Sequence, residues 1–281
     1  MATNFPASLD SLTNPTSSDS LNSPSHSAQH ANVNDAVEAL QAKVGVDGSA
    51  VTTSIDYQLN TGYRYHSTVY FTSSGTFTKA SYPWLRAMKV TVVGGGGGGG
   101  GVAATGTGQS AEAGGGAGGG YAIKFITDIA GLSASETVTV GAGGSGGAAG
   151  ANNGTDGGTT SAFGLTGGLG LGGDGMIAIG SGRTAFGRDS NIGTGGDING
   201  RGDFGGSGVV INAGVAVSQT NNGGGTILTG TRNNAFSNIP GTPADANTGG
   251  GGSGARNRQQ NATAKSGGDG AAGIVIVELY A

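Results

Sequence analysis

Four arginine-bearing segments interrupt the glycine-rich part of this chain and carry the side chains best suited to recognition. They lie at 176–192, 201–204, 231–240 and 255–261. Phenylalanine rings, amides and guanidinium groups occur together there, a combination that binds sugars or protein loops by stacking and planar hydrogen bonds. The alternative is that the phenylalanines are local packing anchors. The candidate receptor-binding residues are Arg183, Phe186, Arg188, Arg201, Phe204, Arg232, Asn233, Asn234, Phe236, Arg256 and Arg258.

A catalytic sequence pattern occurs in the chain, but without the helix and the base that it requires. Gly143–Gly147 fits the G-x-S-x-G pattern of a nucleophile elbow, which requires a following helix and a histidine base. Glycine follows instead, and all three histidines, His26, His30 and His66, lie in the N-terminal third. Cysteine is absent, and neither a carboxylate pair nor a nucleophile constellation can be assigned. We therefore predict a protein that is not an enzyme and has no catalytic residue, no metal and no cofactor.

Glycine and charge limit the classes of protein to which the chain can belong. All but four of its 63 glycines follow residue 90, in irregular runs and with only six prolines, which excludes a collagen triple helix. The formal net charge of −4 makes a phosphate-binding surface, and hence a nucleic-acid partner, improbable. No apolar run approaches the roughly 20 residues of a membrane span, so we expect no membrane insertion.

The glycine-rich region, 91–281, admits three physical states. A flexible linker is disfavoured because strand-like segments at 121–126, 136–140, 208–217 and 273–279 are set among the glycines. A silk-like sheet would need a strict alternation of small residues, which is missing. The third state is a lattice of polyglycine II helices, which have three residues per turn and no internal hydrogen bonds, so that each helix must bond to its neighbours. We predict this lattice.

The N-terminal third differs in composition and is expected to hold two regions. Residues 1–28 mix Ser, Asn, Asp and Pro with isolated leucines, and we expect an extended arm that is either disordered or laid along the surface of a partner. Residues 29–44 predict a helix that ends before Gly45. Its narrow apolar stripe favours self-association as a short coiled coil, with a trimer preferred and a helix docked on its own domain as the alternative. The stripe consists of Val33, Ala36, Val37, Leu40 and Val44.

Residues 61–281 are assigned to one β and glycine-rich domain, preceded by an oligomerisation helix and linker at 29–60. A β-hairpin is predicted from 68–72 and 76–80 across a short turn, followed by a half-buried strand at 85–93. The predicted fold class is thus mainly β with polyglycine II helices: an extended arm, one short α-helix, a small β-hairpin region and a C-terminal glycine-rich sandwich.

The order of these segments resembles the glycine-rich domain of bacteriophage tail-fibre and adhesin proteins. The resemblance is carried by SGTFTKASYPWLRAMKVTVVGGGG, then GGGAGGGYAIKFI, ETVTVGAGGSGG, GTDGGTTSAFG and the terminal GGDGAAGIVIVELY. The segment before them is also similar to virion-appendage proteins, in which such a region precedes a fibre or adhesin domain. This similarity implies that the arm, residues 1–28, docks on other virion proteins. The chain departs from long-tail-fibre adhesins in carrying its own helix and extended N-terminus.

The resemblance implies a β-strand base, a polyglycine II sandwich and variable loops that contact the host surface. The expected function is a structural virion appendage, made in the host cytoplasm and carried on the particle, that attaches to a host cell-surface glycan or outer protein. One alternative is a capsid decoration or head-fibre protein docked by its N-terminal arm. Another is a polyglycine II ice-binding or extracellular structural protein, although its flat Thr-rich faces and regular tripeptides are not found here.

Overall fold

The computed structural model describes Ser18 and residues 26–212, 215–216, 221–232 and 238–281. The chain is mainly β, as the sequence predicts, and divides between Arg64 and Tyr65 into two compact units. The elements of the described residues are helices α1 (His26–Val44) and α2 (Ile55–Thr61), a 3-10 turn (Lys79–Ser81), and strands β1 (Tyr65–Phe71), β2 (Gly75–Thr78), β3 (Ala87–Val93), β4 (Ala111–Glu112), β5 (Tyr121–Ile126), β6 (Ser135–Val138), β7 (Thr160–Ala162), β8 (Leu165–Gly167), β9 (Ser181–Ala185), β10 (Ile198–Gly200), β11 (Gly208–Asn212), β12 (Val215–Ala216), β13 (Arg256–Asn257) and β14 (Ile274–Tyr280).

The first unit contains the two helices. The predicted helix is confirmed, although it begins at His26 rather than at residue 29. It ends where predicted because Gly45 adopts a left-handed conformation, with φ of 87°, and donates its N–H to the carbonyl of Gln41 at 2.7 Å. The short helix α2 is capped by Ser54, whose hydroxyl accepts from the Tyr57 N–H.

The second unit is built on an antiparallel five-stranded sheet in the order β1-β14-β3-β5-β10. One face of this sheet packs against the strand pairs β2-β6 and β7-β8 and forms the main apolar core. The fully enclosed side chains of this core belong to Phe77, Leu85, Met88, Val90, Val92, Ala122, Val138, Ala162, Phe163, Leu165, Val275, Val277 and Leu279. We call this sheet and its core the base.

The predicted hairpin of 68–72 with 76–80 is wrong in its pairing. Strand β1 pairs with the C-terminal strand β14 instead, and β2 pairs with β6. The long-range ladders outweigh the local turn, because alternate side chains of both β1 and β14 pack in the core when these two strands are paired. Strand β3 begins and ends close to the predicted limits, but it is more buried than predicted: Lys89 is partly exposed, and the other residues of the strand are buried.

Beyond Val93 the backbone continues from β3 into a straight glycine segment, 94–101, that bonds laterally with a period of three. The N–H groups of Gly94, Gly97 and Gly100 donate to 114–120, and those of the residues between them donate in turn to 152–158 and 268–271, at 2.8–3.0 Å. The carbonyls of the same segment accept from 144–147, 170–176 and 252–255.

The segment 94–101 is thus surrounded by six described segments, three that accept from it and three that donate to it. A three-residue period without internal bonds is the signature of polyglycine II, in which these eight residues span about 25 Å. The predicted lattice is therefore confirmed by the hydrogen-bond register.

Close approach explains why the segment is pure glycine. A Cβ placed on any residue from Gly94 to Gly101 would lie less than 3.0 Å from a backbone atom of a neighbouring segment. Backbone cannot move aside as a flexible side chain can. Packing here replaces side-chain interdigitation with direct backbone contact, and the lateral hydrogen bonds offset the high entropic cost of ordering glycine.

Aspartates complete the lattice where a glycine N–H has no backbone acceptor opposite it. The Gly172 N–H donates to the carboxylate of Asp156 at 2.9 Å, and the Gly146 N–H donates to that of Asp269 at 2.7 Å. This accounts for the aspartate of the GGDG sequence at 267–270, since a buried or half-buried amide without an acceptor is costly.

We predict that Gly98→Ala lowers the free energy of unfolding by about 3 kcal/mol or more, because its Cβ would overlap the backbone of Ser145 and Gly146. Gly230→Ala is the matched control, since no atom lies within 4 Å of its added Cβ. Urea unfolding of both variants measures the difference, and equal stabilities would contradict the account of the lattice.

Candidate functional site

The glycine segments run from the base of the second unit to its opposite end. Gly94 follows β3 at the base, whereas Gly101 at the opposite end bonds to Asn152 and Met176. The segments that continue from that opposite end are 102–112, 148–153, 176–185, 208–212 and 256–265, which we call the far end. An apolar cluster of Val102, Ala111, Ala113, Met176, Ala185, Val210 and Ala255 closes the lattice there.

Three of the predicted contact residues lie at or next to the far end and are exposed. Arg183 is an exposed residue of β9. Phe186 follows β9 directly and is 59% exposed. Arg258 is exposed in the loop after β13. Phe186 is therefore not a local packing anchor within this chain.

A second group lies along the flanks of the lattice. Phe204 is 67% exposed there, which also argues against a packing role. The arginines of this group are each engaged by an aspartate of the lattice, at 3.2 Å for Arg201 and 2.8 Å for Arg232. The three pairs are Arg188–Asp174, Arg201–Asp189 and Arg232–Asp245.

Arg256 is not a surface residue, so its prediction as a receptor contact is wrong. Its side chain is 2% exposed and pairs with the equally buried Glu112, with Nη2 3.2 Å from Oε2. The two residues face each other because β13 and β4 are paired. Alternation of arginine with polar residues at 255–261 does not reveal this burial, which depends on a partner 144 residues away.

Asn233, Asn234 and Phe236 lie outside the described residues, and their role stays a prediction. The same holds for the arm predicted at 1–28, of which the described part is limited to Ser18 and residues 26–28.

The loop that carries Arg258 is held by a network of hydrogen bonds that the sequence does not predict. Thr105 donates its hydroxyl to the Arg258 carbonyl and accepts the Asn261 N–H. Asn257 donates its side-chain amide to the carbonyls of Ala103 and Thr263, at 3.0 and 2.9 Å. The loop is thus ordered in advance of any contact, which lowers the entropic cost of binding. A run of Asn, Gln and Thr in a glycine-rich chain carries no signal for this network.

The stripe proposed for oligomerisation lies uncovered in the single chain. Val33, Val37, Leu40 and Val44 are between 44% and 52% exposed, and Ala36 is half-buried. Four apolar side chains at helical spacing on one exposed face fit association with other helices. Self-association itself stays a prediction.

The outer face of the base sheet is unusually apolar. It exposes Tyr65, Tyr70, Phe125 and Ile198, although the solvent face of an antiparallel sheet is ordinarily polar. An ion pair between Lys89 and Glu278, 2.8 Å apart, lies across its central strands. The hydrogen bond to the Glu278 carboxylate raises the pKa of Lys89.

The described part of the chain presents neither a cluster of metal ligands nor a helix able to span a membrane. No group of three His, Asp or Glu side chains in it is arranged to hold a metal ion. Neither of its helices combines the length and apolar character needed to cross a bilayer.

Comparison with known proteins identifies one similarity. The model of a family described as a glycine-rich domain matches residues 72–280, well over half of the chain. The match therefore contains the lattice and all strands from β2 to β14. Four of these strands, β3, β5, β10 and β14, belong to the base sheet. A search of curated proteins found no match.

We predict that Arg256→Ala lowers the free energy of unfolding by about 3 kcal/mol, because it leaves Glu112 buried without its counter-charge. Arg258→Ala, two residues away and exposed, should change it by no more than about 0.5 kcal/mol. Urea unfolding compares the two, and a neutral Arg256→Ala would return that residue to the surface candidates.

We predict that Val37→Asp combined with Leu40→Asp reduces the sedimenting mass of the full chain to that of a monomer. A charge at each position would have to be desolvated in a helix–helix interface. Ala42→Asp, on the opposite face of α1, is the control and should leave the mass unchanged. A mass that is the same for all three proteins would reject the coiled coil.

Proposed function

Because this chain belongs to the glycine-rich domain family, we propose that it is a bacteriophage virion appendage that presents loops on a polyglycine scaffold for attachment to the host surface. In this proposal the protein is a tail fibre or adhesin, acts without catalysis, and binds a glycan or an outer protein of the host cell. The resemblance of its segment order to tail-fibre and adhesin proteins supplies the biological setting.

The observation that carries the proposal is the gathering of irregular segments at the far end. Scaffold and loops are physically separate: the lattice is held by backbone bonds, which do not depend on side-chain identity in the loops. Such a scaffold tolerates changes in loop sequence while keeping loop positions fixed, as binding proteins with rigid frameworks do. Exposed Arg183, Phe186 and Arg258 are the residues that we expect to contact the host.

The entry of the chain into the second unit supports attachment at the other side. Tyr65 begins β1 and pairs with Tyr280 at the end of β14 that lies away from the lattice. The second unit therefore begins at the end of the base sheet that lies away from the lattice. The exposed stripe of α1 would bring several copies together, and several weak loops on one particle bind with higher avidity than one.

We predict that the labelled full-length chain adsorbs saturably to a permissive bacterial strain and blocks infection by the parent phage. The combined variant Arg183→Ala, Phe186→Ala and Arg258→Ala should weaken adsorption by about tenfold or more, since a few exposed aromatic and arginine residues usually dominate an interface. Arg86→Ala, an exposed change at the base, is the control and should adsorb like the parent protein.

A capsid decoration protein gives a different result in this assay. It would not adsorb to any permissive strain, and antibody labelling would place it over the capsid rather than on a tail or fibre tip. That outcome would overturn the attachment function.

A further inference from the structure

The far end has a charge opposite to that of the chain as a whole. The protein carries a formal net charge of −4. Within the described far end, however, the charged side chains outside the buried Arg256–Glu112 pair are Arg183, Arg258 and Lys265, all cationic. The stretches 213–214, 217–220 and 233–237, which lie outside the described residues, contain no charged residue in the sequence. The far end is therefore a cationic surface on an acidic protein.

Among the described residues, these three cations differ from Arg188, Arg201 and Arg232 in forming no ion pair. Arg188, Arg201 and Arg232 are each paired with an aspartate. No ion pair forms at Arg183, Arg258 or Lys265 among the residues that the structure describes. A free guanidinium or ammonium group is available to an external anion, whereas a paired one must first give up its aspartate.

The three cations project from separate elements held at fixed positions. Lys265 is placed by its backbone bridge to Val102, the first residue beyond the central glycine segment. Arg258 is held through the hydroxyl of Thr105, and Arg183 lies on β9, which pairs with β11. Positive charges spread over the surface in this way suit a ligand with repeated anionic groups rather than one small anion.

Neutral hydrogen-bonding groups lie between the cations. Gln260 contacts Thr107 at 3.3 Å, and both are exposed beside Arg258. Amide and hydroxyl groups of this kind bind sugar hydroxyls. Three cations separated by neutral amide groups match the low charge density of an acidic polysaccharide. Nucleic acid has closely spaced phosphates and is bound by a more strongly basic patch or stripe.

We infer that the far end binds the anionic groups, carboxylate or phosphate, of a cell-surface polysaccharide, through Arg183, Arg258 and Lys265. The inference rests on the proposed attachment function and names its ligand class. Aspartates along the flanks, Asp156 and Asp269 among them, repel the same polymer, so the field of the protein orients the far end toward an anionic surface.

The test measures binding of the full chain to purified polymers. Alginate supplies carboxylates, poly(glycerol phosphate) supplies phosphates, and dextran is the neutral control. We expect binding to at least one anionic polymer, none to dextran, and weakening as salt rises from roughly 0.05 to 0.5 M. The variant R183Q/R258Q/K265Q should bind about tenfold more weakly, the order expected from the loss of two exposed cations and the half-buried Lys265.

The matched control is R188Q/R201Q/R232Q, which removes the same number of positive charges from the flanks and should keep the affinity of the parent protein. Equal losses in both triple variants would show that net charge alone matters and would overturn the inference. So would binding to dextran, failure to bind either anionic polymer, or tighter binding to duplex DNA or polyglutamate than to both polysaccharides.

Cell adsorption separates this inference from the function on which it rests. If the parent protein adsorbs to cells and R183Q/R258Q/K265Q adsorbs equally well, attachment stands and the anionic ligand is overturned. If the parent protein does not adsorb to any permissive strain, attachment fails, and polymer binding alone decides the charge selectivity of the far end. Urea unfolding shows whether both variants are folded, and we expect both to be, because the substituted side chains are exposed or half-buried and surface ion pairs contribute little to stability.

Discussion

Lateral hydrogen bonding between glycine backbones holds the second unit of this protein together above its base. Every N–H of the segment 94–101 donates to a neighbouring segment at 2.8–3.0 Å, and no side chain could be inserted between them. The usual source of stability, burial of large apolar side chains, is confined to the base and to a small cluster at the far end. Between those two clusters, backbone contact takes the place of a core.

The base sets the register of the lattice. Strands β3, β5 and β14 run directly into or out of the glycine segments that begin at 94, end at 120 and end at 273. Their ladder pairs Val93 with Tyr121 and Ile274, so the glycines that adjoin these residues are held at defined levels relative to one another. This coupling explains how a segment of eight identical residues, which carries no register information of its own, can be fixed at one position.

A scaffold of this kind determines where recognition groups lie, because its interior excludes large side chains. Only small side chains such as those of Ala117 and Ser253 are buried within the lattice, so the larger residues that interrupt the glycine runs lie on its flanks or beyond its ends. On the flanks, arginines meet the aspartates that project from neighbouring segments and are neutralised. At the far end such aspartates are lacking among the described residues, and the cations stay available. The contrast between these two environments is the physical basis of both proposals.

The sequence by itself determined the helix at the N-terminal side, four of the five strands of the base sheet and the polyglycine II lattice, because these depend on local periodicity and on the conformational freedom of glycine. It also identified the arginine-bearing segments, since they stand out against glycine. Only the tertiary structure decided that β1 pairs with β14 rather than β2, and that Arg256 is buried against Glu112 while Arg258 is exposed. Both outcomes depend on contacts between residues far apart in the chain, and residue spacing within a segment carries no information about such partners.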